Sequence, residues 1–396
     1  MEKLKAAIIG AGSISGVYIN NLLTMFSRIV ELSAIADGIP EKAQEAAEKY
    51  GLDFAESTGA LLERGDISLI VNLTPPAAHF AVAKAALEAG KHIYNEKPLC
   101  TDLSDAQGLL ETARKNNLRV GCAPDTFLGA GLQTARKLIA DGWIGRPVAG
   151  TAFLMSRGPE HWHPAPEFFY AKGGGPLFDM GPYYITALVS LLGPVSAVSG
   201  STAISFENRL ITSEPKRGKT IAVETPTHVS ALLDFQSGAM VSMIMSFDVW
   251  SHSLPYIEIY GSEGTMQVGD PNFFLSPVRI KRHRAEEWQT IPLFDSVDFI
   301  GSVEEQGEGH GSRMPLHNRY VRDNWPACEH WFANNNWRGI GVADMALAIG
   351  EKRPHRASGN LAIHVLEVMT RILESGETGK RLAITHQAGK SDGGQP

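Results

Sequence analysis

Cysteine is scarce in this chain: 396 residues contain three, Cys100, Cys122 and Cys328, without close spacing. An odd, scattered set builds neither a disulfide framework nor a structural zinc site, and it suits a reducing cytoplasm. Long apolar runs are also missing. No stretch reaches the roughly 18 to 20 residues of a membrane span. The first apolar run, Leu4 to Ile9, ends at Gly10 and is too short for a signal peptide. The expectation is a soluble, cytoplasmic protein with no membrane partner. A basic stripe is absent as well. The 36 Lys and Arg are scattered among 43 Asp and Glu, for a net charge of −7, so no nucleic-acid partner is expected. There is no internal repeat and no low-complexity tract before the polar, Gly-rich tail 386–396, which is expected to be disordered.

What is present is an ordinary globular composition, 43% hydrophobic and 20% charged, long enough for two or three domains. Up to residue 124, strand and helix patterns alternate. Strands are read at Leu4–Ile9, Val30–Ala36, Ile67–Leu73, His92–Asn95 and Arg119–Ala123. Helices are read at Ser13–Phe26, Pro40–Lys49, Ala77–Ala89 and from Ser104 to about Asn116. This alternation implies a doubly wound parallel sheet with right-handed crossovers, an α/β Rossmann domain over 1–124.

After Pro124 a helix is read at Leu132–Ala140, and then alternating strands dominate: Val148–Leu154, Val195–Ile204, Val229–Phe235, Met240–Phe247, Ile257–Tyr260 and Thr265–Val268. Short turns such as Gln236-Ser237-Gly238 favour antiparallel pairing. Helical pattern appears at Pro182–Leu192, Val342–Gly350 and Leu361–Glu374. Residues 125–385 are thus expected to form a second, α+β domain with a mainly antiparallel sheet.

Gly10-Ala11-Gly12-Ser13-Ile14-Ser15-Gly16 follows the first strand and opens the first helix. The first glycine permits a tight turn, the second lets backbone approach a pyrophosphate, and the helix N-terminus offers N–H groups and positive dipole. A strict G-x-G-x-x-G would carry glycine or alanine where Ser15 stands. Asp37 ends the second strand, where a carboxylate accepts from adenine-ribose hydroxyls; a plain helix-capping role is the alternative. An acid there repels a 2′-phosphate, and Gly38-Ile39-Pro40 supplies no cation, so NAD is favoured over NADP.

Glu96-Lys97-Pro98 ends the His92–Asn95 strand, at the edge where open parallel sheets bind ligands. A lysine there can stabilise a developing alkoxide or lower a neighbour's pKa, although a strand-end lysine is usually a solvated surface residue. In Gly173-Gly174-Gly175-Pro176-Leu177-Phe178-Asp179-Met180-Gly181-Pro182-Tyr183-Tyr184, Asp179 and Tyr183 are one helical turn apart on one face. They suit a sugar hydroxyl, or else are a helix-start acid and a core tyrosine.

In this order and spacing the chain resembles the Gfo/Idh/MocA family, named for glucose–fructose oxidoreductase and inositol dehydrogenase. The resemblance runs through Gly10 to Gly16, Asp37, Asn72-Leu73-Thr74-Pro75-Pro76 with His79, Glu96 to Pro98, Gly173 to Tyr184, and Ile257 to Thr265. It implies a Rossmann domain followed by a domain with a large open antiparallel sheet, whose free face supports a homodimer or homotetramer. It implies NAD held at Gly10, Gly12, Ser13, Ile14, Asp37, Asn72, Thr74, Pro75, His79, Glu96 and Lys97. It also implies Lys97 as the catalytic lysine, a cis Lys97–Pro98 bond, and Asp179 binding the reacting part of the substrate. Many members carry histidine as proton acceptor at the position of Tyr183; this sequence resembles the tyrosine branch. Because a free phenol has a pKa near ~10, Tyr183 must be lowered or act mainly as an acid, and Lys97 is expected to supply that shift.

His161-Trp162-His163-Pro164 precedes the triple glycine and could stack on and hydrogen-bond a sugar, or be a loop without a role. No Cys or acidic partner makes those histidines a metal site. Asp125 stands where many relatives have an arginine or other polar residue, which makes it a specificity candidate. Trp250 and His252 are balanced between cleft and core, and Arg338 and His355 are weaker candidates. The expected activity is NAD-dependent hydride transfer at a hydroxyl or keto carbon of a sugar, polyol, inositol or glycoside. The alternatives are a glycosidase using NAD for transient oxidation, and a cofactor-binding sensor without turnover. Retention of Lys97, Asp179 and Tyr183 together argues against the sensor.

Overall fold

The computed structural model describes residues 3–293, 336–386 and 388. Cys328 and most of the 386–396 tail lie outside them. The described start of that tail departs from the expected disorder: the His386 amide donates to Glu367 Oε2 at 2.7 Å, and Ala388 is buried.

The first half follows β1 Leu4–Ile9, α1 Ser15–Leu23, β2 Val30–Ala36, α2 Pro40–Tyr50, β3 Asp53–Phe54, α3 Thr58–Leu62, β4 Leu69–Asn72, α4 His79–Glu88, β5 His92–Asn95, α5 Leu103–Lys115 and β6 Val120–Cys122. The six strands form one sheet in the order β3-β2-β1-β4-β5-β6, every pair parallel. Ala6 to Ile9 are buried on both faces, as an unbroken apolar run in a central parallel strand should be. The order reverses between β1 and β4, and ligands bind at such a switch point, outside the carboxyl ends of the strands. Register fixes what stands there. Ile9 pairs with Ala36 and Asn72, Asn72 with Asn95, and Asn95 with Cys122. Gly10, Asp37, Thr74, Lys97 and Asp125 therefore leave the sheet along one edge.

The chain continues through α6 Ala130–Ala140, β7 Pro147–Met155, α7 Gly175–Leu192, β8 Val195–Ala203, β9 Asn208–Leu210, β10 Thr220–Ala222, β11 His228–Phe235, β12 Met240–Ser246, β13 Ile257–Gly261, β14 Gly264–Val268, β15 Val278–Arg282 and β16 Gln289–Ile291. From residue 336 onward come α8 Ile340–Gly350, α9 Gly359–Thr378 and β17 Leu382–Ala383. A nine-stranded sheet runs β16-β15-β14-β13-β7-β12-β11-β8-β17, antiparallel except for the parallel β7–β12 pair. On its face opposite the core, Leu232 and Met240 stand exposed on neighbouring strands. No helix among the described residues is long and apolar enough to cross a membrane.

α7 begins at Gly175, not at Pro182 as read from the sequence. Proline is at home in a first turn, which invited that reading. Here Pro182 sits inside the helix, where it removes one N–H. Asp179 and Tyr183 consequently lie mid-helix. The division expected at residue 124 is crossed later in the chain: Asn21 on α1 donates to the Arg338 carbonyl at 2.7 Å, and Gly121 bridges Ser358.

Candidate active site

Gly10 has φ +112°, and a Cβ there would come within 2.6 Å of the Leu73 carbonyl carbon, so only glycine fits between the β1 and β4 ends. A Cβ on Gly12 would meet nothing within 4 Å, which leaves open space over the loop. No side chain caps α1, whose Ser15 and Val17 amides donate to the Gly12 and Ile14 carbonyls at 3.1 and 3.2 Å, and the positive end of its dipole faces the loop. Ser13 is exposed and Ile14 half-buried beside them. Asp37 Oδ2 accepts from the Ala11 amide at 2.6 Å and Oδ1 from the Ile39 amide at 2.8 Å. The carboxylate thus ties the glycine loop to the β2 end and stays half-exposed. These residues fit a dinucleotide.

Three residues assigned to cofactor contact do something else. Asn72 is fully buried and spends its amide on the protein: Nδ2 donates to the His79 carbonyl at 3.3 Å and to Asn95 Oδ1 at 3.1 Å, while Oδ1 accepts from Thr74 N and Oγ1. His79, 1% exposed, places Nδ1 at 2.6 Å from the Pro98 carbonyl and Nε2 at 2.9 Å from the Thr74 carbonyl. A neutral ring donates to only one of them, and burial lowers its pKa. Both side chains fix the Thr74 and Pro98 turns from beneath rather than reach a ligand; Thr74 and Pro75 themselves are part-exposed. Glu96 is also occupied, with Oε1 accepting from Tyr18 Oη and Oε2 from the Lys97 amide, both at 2.8 Å.

Lys97, with a cis bond to Pro98, reaches across to α7. Its Nζ donates to Asp179 Oδ1 at 2.8 Å and to the Asp179 carbonyl at 2.6 Å. Nζ also lies 5.4 Å from the centre of the Tyr183 ring. Burial works against the charge on Lys97, but Asp179, Tyr183 and Glu96 outweigh it and hold its pKa above the ordinary lysine value. The lysine is therefore a cation at neutral pH. Burial also pushes the Tyr183 phenol above its ordinary value, and the pull of Lys97 and Arg338 does not overcome it. The expectation that Lys97 brings this phenol down holds for the sign of its contribution and fails for the sum.

The remaining candidates divide. Asp125 is no substrate contact: it is 1% exposed, and its Oδ2 accepts from the Gly339 and Gly341 amides at 2.9 and 3.0 Å. Burial raises its pKa to about 6, against those bonds and Arg338. His355, half-buried, bonds the Val120 carbonyl. His161, Trp162, His163 and Trp250 come together as an aromatic shelf. Trp162 stacks edge-on to His163 at 5.3 Å, and His161 lies 6.2 Å from Trp250. Trp162 and Trp250 are 68% and 77% exposed, so neither is core. His252 is exposed in the following segment.

A buried ionic network holds the shelf. Glu160 and Asp248 flank Arg209, at 2.7 and 2.8 Å, while Tyr170 donates to Glu160 and Thr227 to Asp248. Nothing in the sequence marks these three charges as partners, since they come from distant segments. Arg209→Met leaves two buried carboxylates without their guanidinium and is expected to destabilise the fold by about 3–5 kcal/mol. Thermal and denaturant melts read this directly, and an unchanged transition would remove the network from the account.

An oxidoreductase family model described as an NAD-binding Rossmann fold matches residues 4–123, and one described as the GFO/IDH/MocA C-terminal domain matches 132–267. The chain is 28% identical over 327 residues to a dTDP-3,4-didehydro-2,6-dideoxy-alpha-D-glucose 3-reductase of Streptomyces violaceoruber, covering 78% of this chain and 89% of that one. It is 27% identical over 352 residues to a D-xylose dehydrogenase of Paenarthrobacter nicotinovorans, covering 82% and 86%. A crystal structure of an NAD-binding oxidoreductase from Klebsiella pneumoniae superposes with a TM-score of 0.78 at 21% identity, over 97% of this chain and 99% of that one, a likeness of fold. With both halves matched and the Rossmann edge built as described, the chain belongs to the Gfo/Idh/MocA family of NAD-binding oxidoreductases.

Proposed function

We propose that the protein transfers hydride between NAD and a hydroxyl or keto carbon of a sugar, cyclic polyol, inositol or glycoside, with Lys97 and Tyr183 handling the reacting oxygen and its proton. The observation that carries this reading is the Lys97 ammonium held 2.8 Å from Asp179 and over the Tyr183 ring, on the sheet edge that also bears the glycine loop. Gly10 to Ile14 and Asp37 would hold NAD, which would supply two-electron hydride chemistry at its nicotinamide. Lys97 supplies a fixed positive charge for an oxygen that becomes alkoxide-like. Tyr183 takes the hydroxyl proton in oxidation and returns it in reduction. Asp179 orients Lys97 and accepts from a neighbouring hydroxyl. The names of the two relatives, both sugar oxidoreductases, favour this substrate class.

The aromatic shelf bears on how a sugar is gripped. It lies against the amino end of α7, where Gly174 abuts the Phe168 and Phe169 carbonyls, one helical turn before Asp179. Rings of this kind stack on the apolar face of a pyranose while His161 and His163 offer polar edges.

The test is a panel of myo-inositol, D-glucose, D-xylose and methyl β-D-glucoside, each with NAD and with NADP, followed by absorbance of the reduced cofactor. Turnover with at least one of them and NAD is expected; activity confined to NADP, or none with any of the four, would refute the reading. Asp37 gives a separate check. Asp37→Ala is expected to weaken NADH binding by roughly 10- to 100-fold, the worth of hydrogen bonds to a charged group. Fluorescence titration measures it, and unchanged affinity would leave Asp37 as a loop tie alone.

A further inference from the structure

Arg338 stands immediately before α8, far in sequence from the other groups of the cleft, and three contacts fix it there. Its carbonyl accepts from Asn21 on α1, and the next amides of the turn, Gly339 and Gly341, donate to the buried Asp125 carboxylate. Its guanidinium is part-buried; Nη2 donates to Asn272 Oδ1 at 2.8 Å and lies 3.5 Å from Tyr183 Oη, at the long limit of a hydrogen bond. No carboxylate among the described residues is in hydrogen-bond contact with it.

The two cations near the phenol are therefore not equivalent. The charge of Lys97 is paired at 2.8 Å with Asp179, and a carboxylate so close opposes its field at Tyr183. Arg338 faces amide oxygens instead, and Glu96 and Asp125 oppose it only from further off. A part-buried guanidinium with no contact counter-ion among the described residues is stabilised when a neighbour ionises beside it. The group placed to do so is Tyr183.

We propose that Arg338 is a positioning residue for proton transfer at Tyr183: its guanidinium stabilises the phenolate, and Asp125 holds it in place through the Gly339 and Gly341 amides. The inference rests on the reading of Tyr183 as the group that exchanges the substrate proton. Asp125, which the sequence suggested as a substrate contact, thereby acts at two removes. The charged groups acting on the phenol are Lys97 and Glu96 from the β5 end and Arg338 before α8.

The test compares kcat against pH for wild type, R338M, R338Q, R338K and Y183F, in the oxidation direction, with NAD and the panel compound that turns over best. Oxidation needs the phenolate, so the rate climbs as pH rises through the Tyr183 pKa. Losing a cation within about 4–6 Å moves that limb up by roughly 1–2 units, a loss of about 10- to 100-fold on its acid side. R338M and R338Q are expected to show that shift with substrate KM within about threefold, and R338K, which keeps a charge, to recover most of it. R338Q retains an amide for Asn272 and guards against misfolding of R338M. Ultraviolet difference titration of phenolate, with Y183F subtracted, is expected to show the same upward shift without turnover. A limb that stays in place in both neutral variants overturns the proposal, as does a rise in KM with unchanged kcat, which would make Arg338 a substrate contact. Failure of the underlying reading looks different: Y183F would then turn over like wild type, whatever Arg338 does.

Discussion

Tyr183→Phe is expected to lower kcat by roughly 10²- to 10⁴-fold, the range that a positioned proton donor or acceptor supplies. The substitution removes one oxygen and keeps the ring, so the α7 packing around a residue only 7% exposed is retained. Binding of NAD should be unchanged, and substrate KM should move little. The pH dependence separates a lost proton carrier from a disturbed helix. In oxidation the wild-type rate rises with pH through the phenol's pKa, which burial holds above its ordinary value against Lys97 and Arg338. In the phenylalanine variant that limb should vanish, leaving a low rate that is flat across the same interval. Steady-state kcat between neutral and alkaline pH reads it, and a variant that retains the limb would move the proton chemistry to another group.

Lys97→Ala is the second large effect. An ammonium fixed at the reacting oxygen acts mainly on the transition state, so kcat and kcat/KM should fall together by about 10²- to 10³-fold. Two further consequences follow from the geometry. Asp179 loses its cation, and the Asp179 carbonyl loses a donor. Tyr183 loses the largest of the influences that lower its pKa, so whatever rate remains should need a higher pH. Lys97→Arg keeps charge but not the compact donor, and is expected to recover less than a tenth of the rate because a planar fork cannot meet both Asp179 oxygens and a substrate oxygen from the same stem. Rapid-mixing measurement of the first turnover checks both variants; a kcat/KM loss carried wholly by KM would make Lys97 a binding residue.

Much of the Rossmann half was legible because its central strands are buried on both faces and read as unbroken apolar runs; β1, β2 and β5 have the expected ends. The glycine loop and Asp37 were legible for a similar reason, a backbone requirement written into residue type. Pattern failed where it was too short or ambiguous. β9 and β10 have three residues each, below the length at which alternation can be counted, and Pro182 signals a helix start as readily as a bend. The site was half legible. Lys97, Asp179 and Tyr183 carry chemistry at readable positions, but the direction in which a strand-end polar residue points is not written locally. Asn72, His79 and Asp125 each turn inward to a partner, and that of Asp125 is 214 residues away. Arg338 was only a weaker candidate and Asn272 none, because the places of both depend on the same long-range return of the chain.

The central claim is that hydride passes between NAD and a hydroxyl carbon while Lys97 holds the oxygen. It is tested most directly by a single turnover of the best panel compound, deuterated at its reacting carbon, with the mass of the cofactor recorded for wild type and Lys97→Ala. Wild type should place one deuterium on the cofactor, and Lys97→Ala should do so about 100-fold or more slowly with NAD affinity intact. A cofactor that gains no deuterium while substrate is consumed, or equal rates in the two proteins, would contradict it.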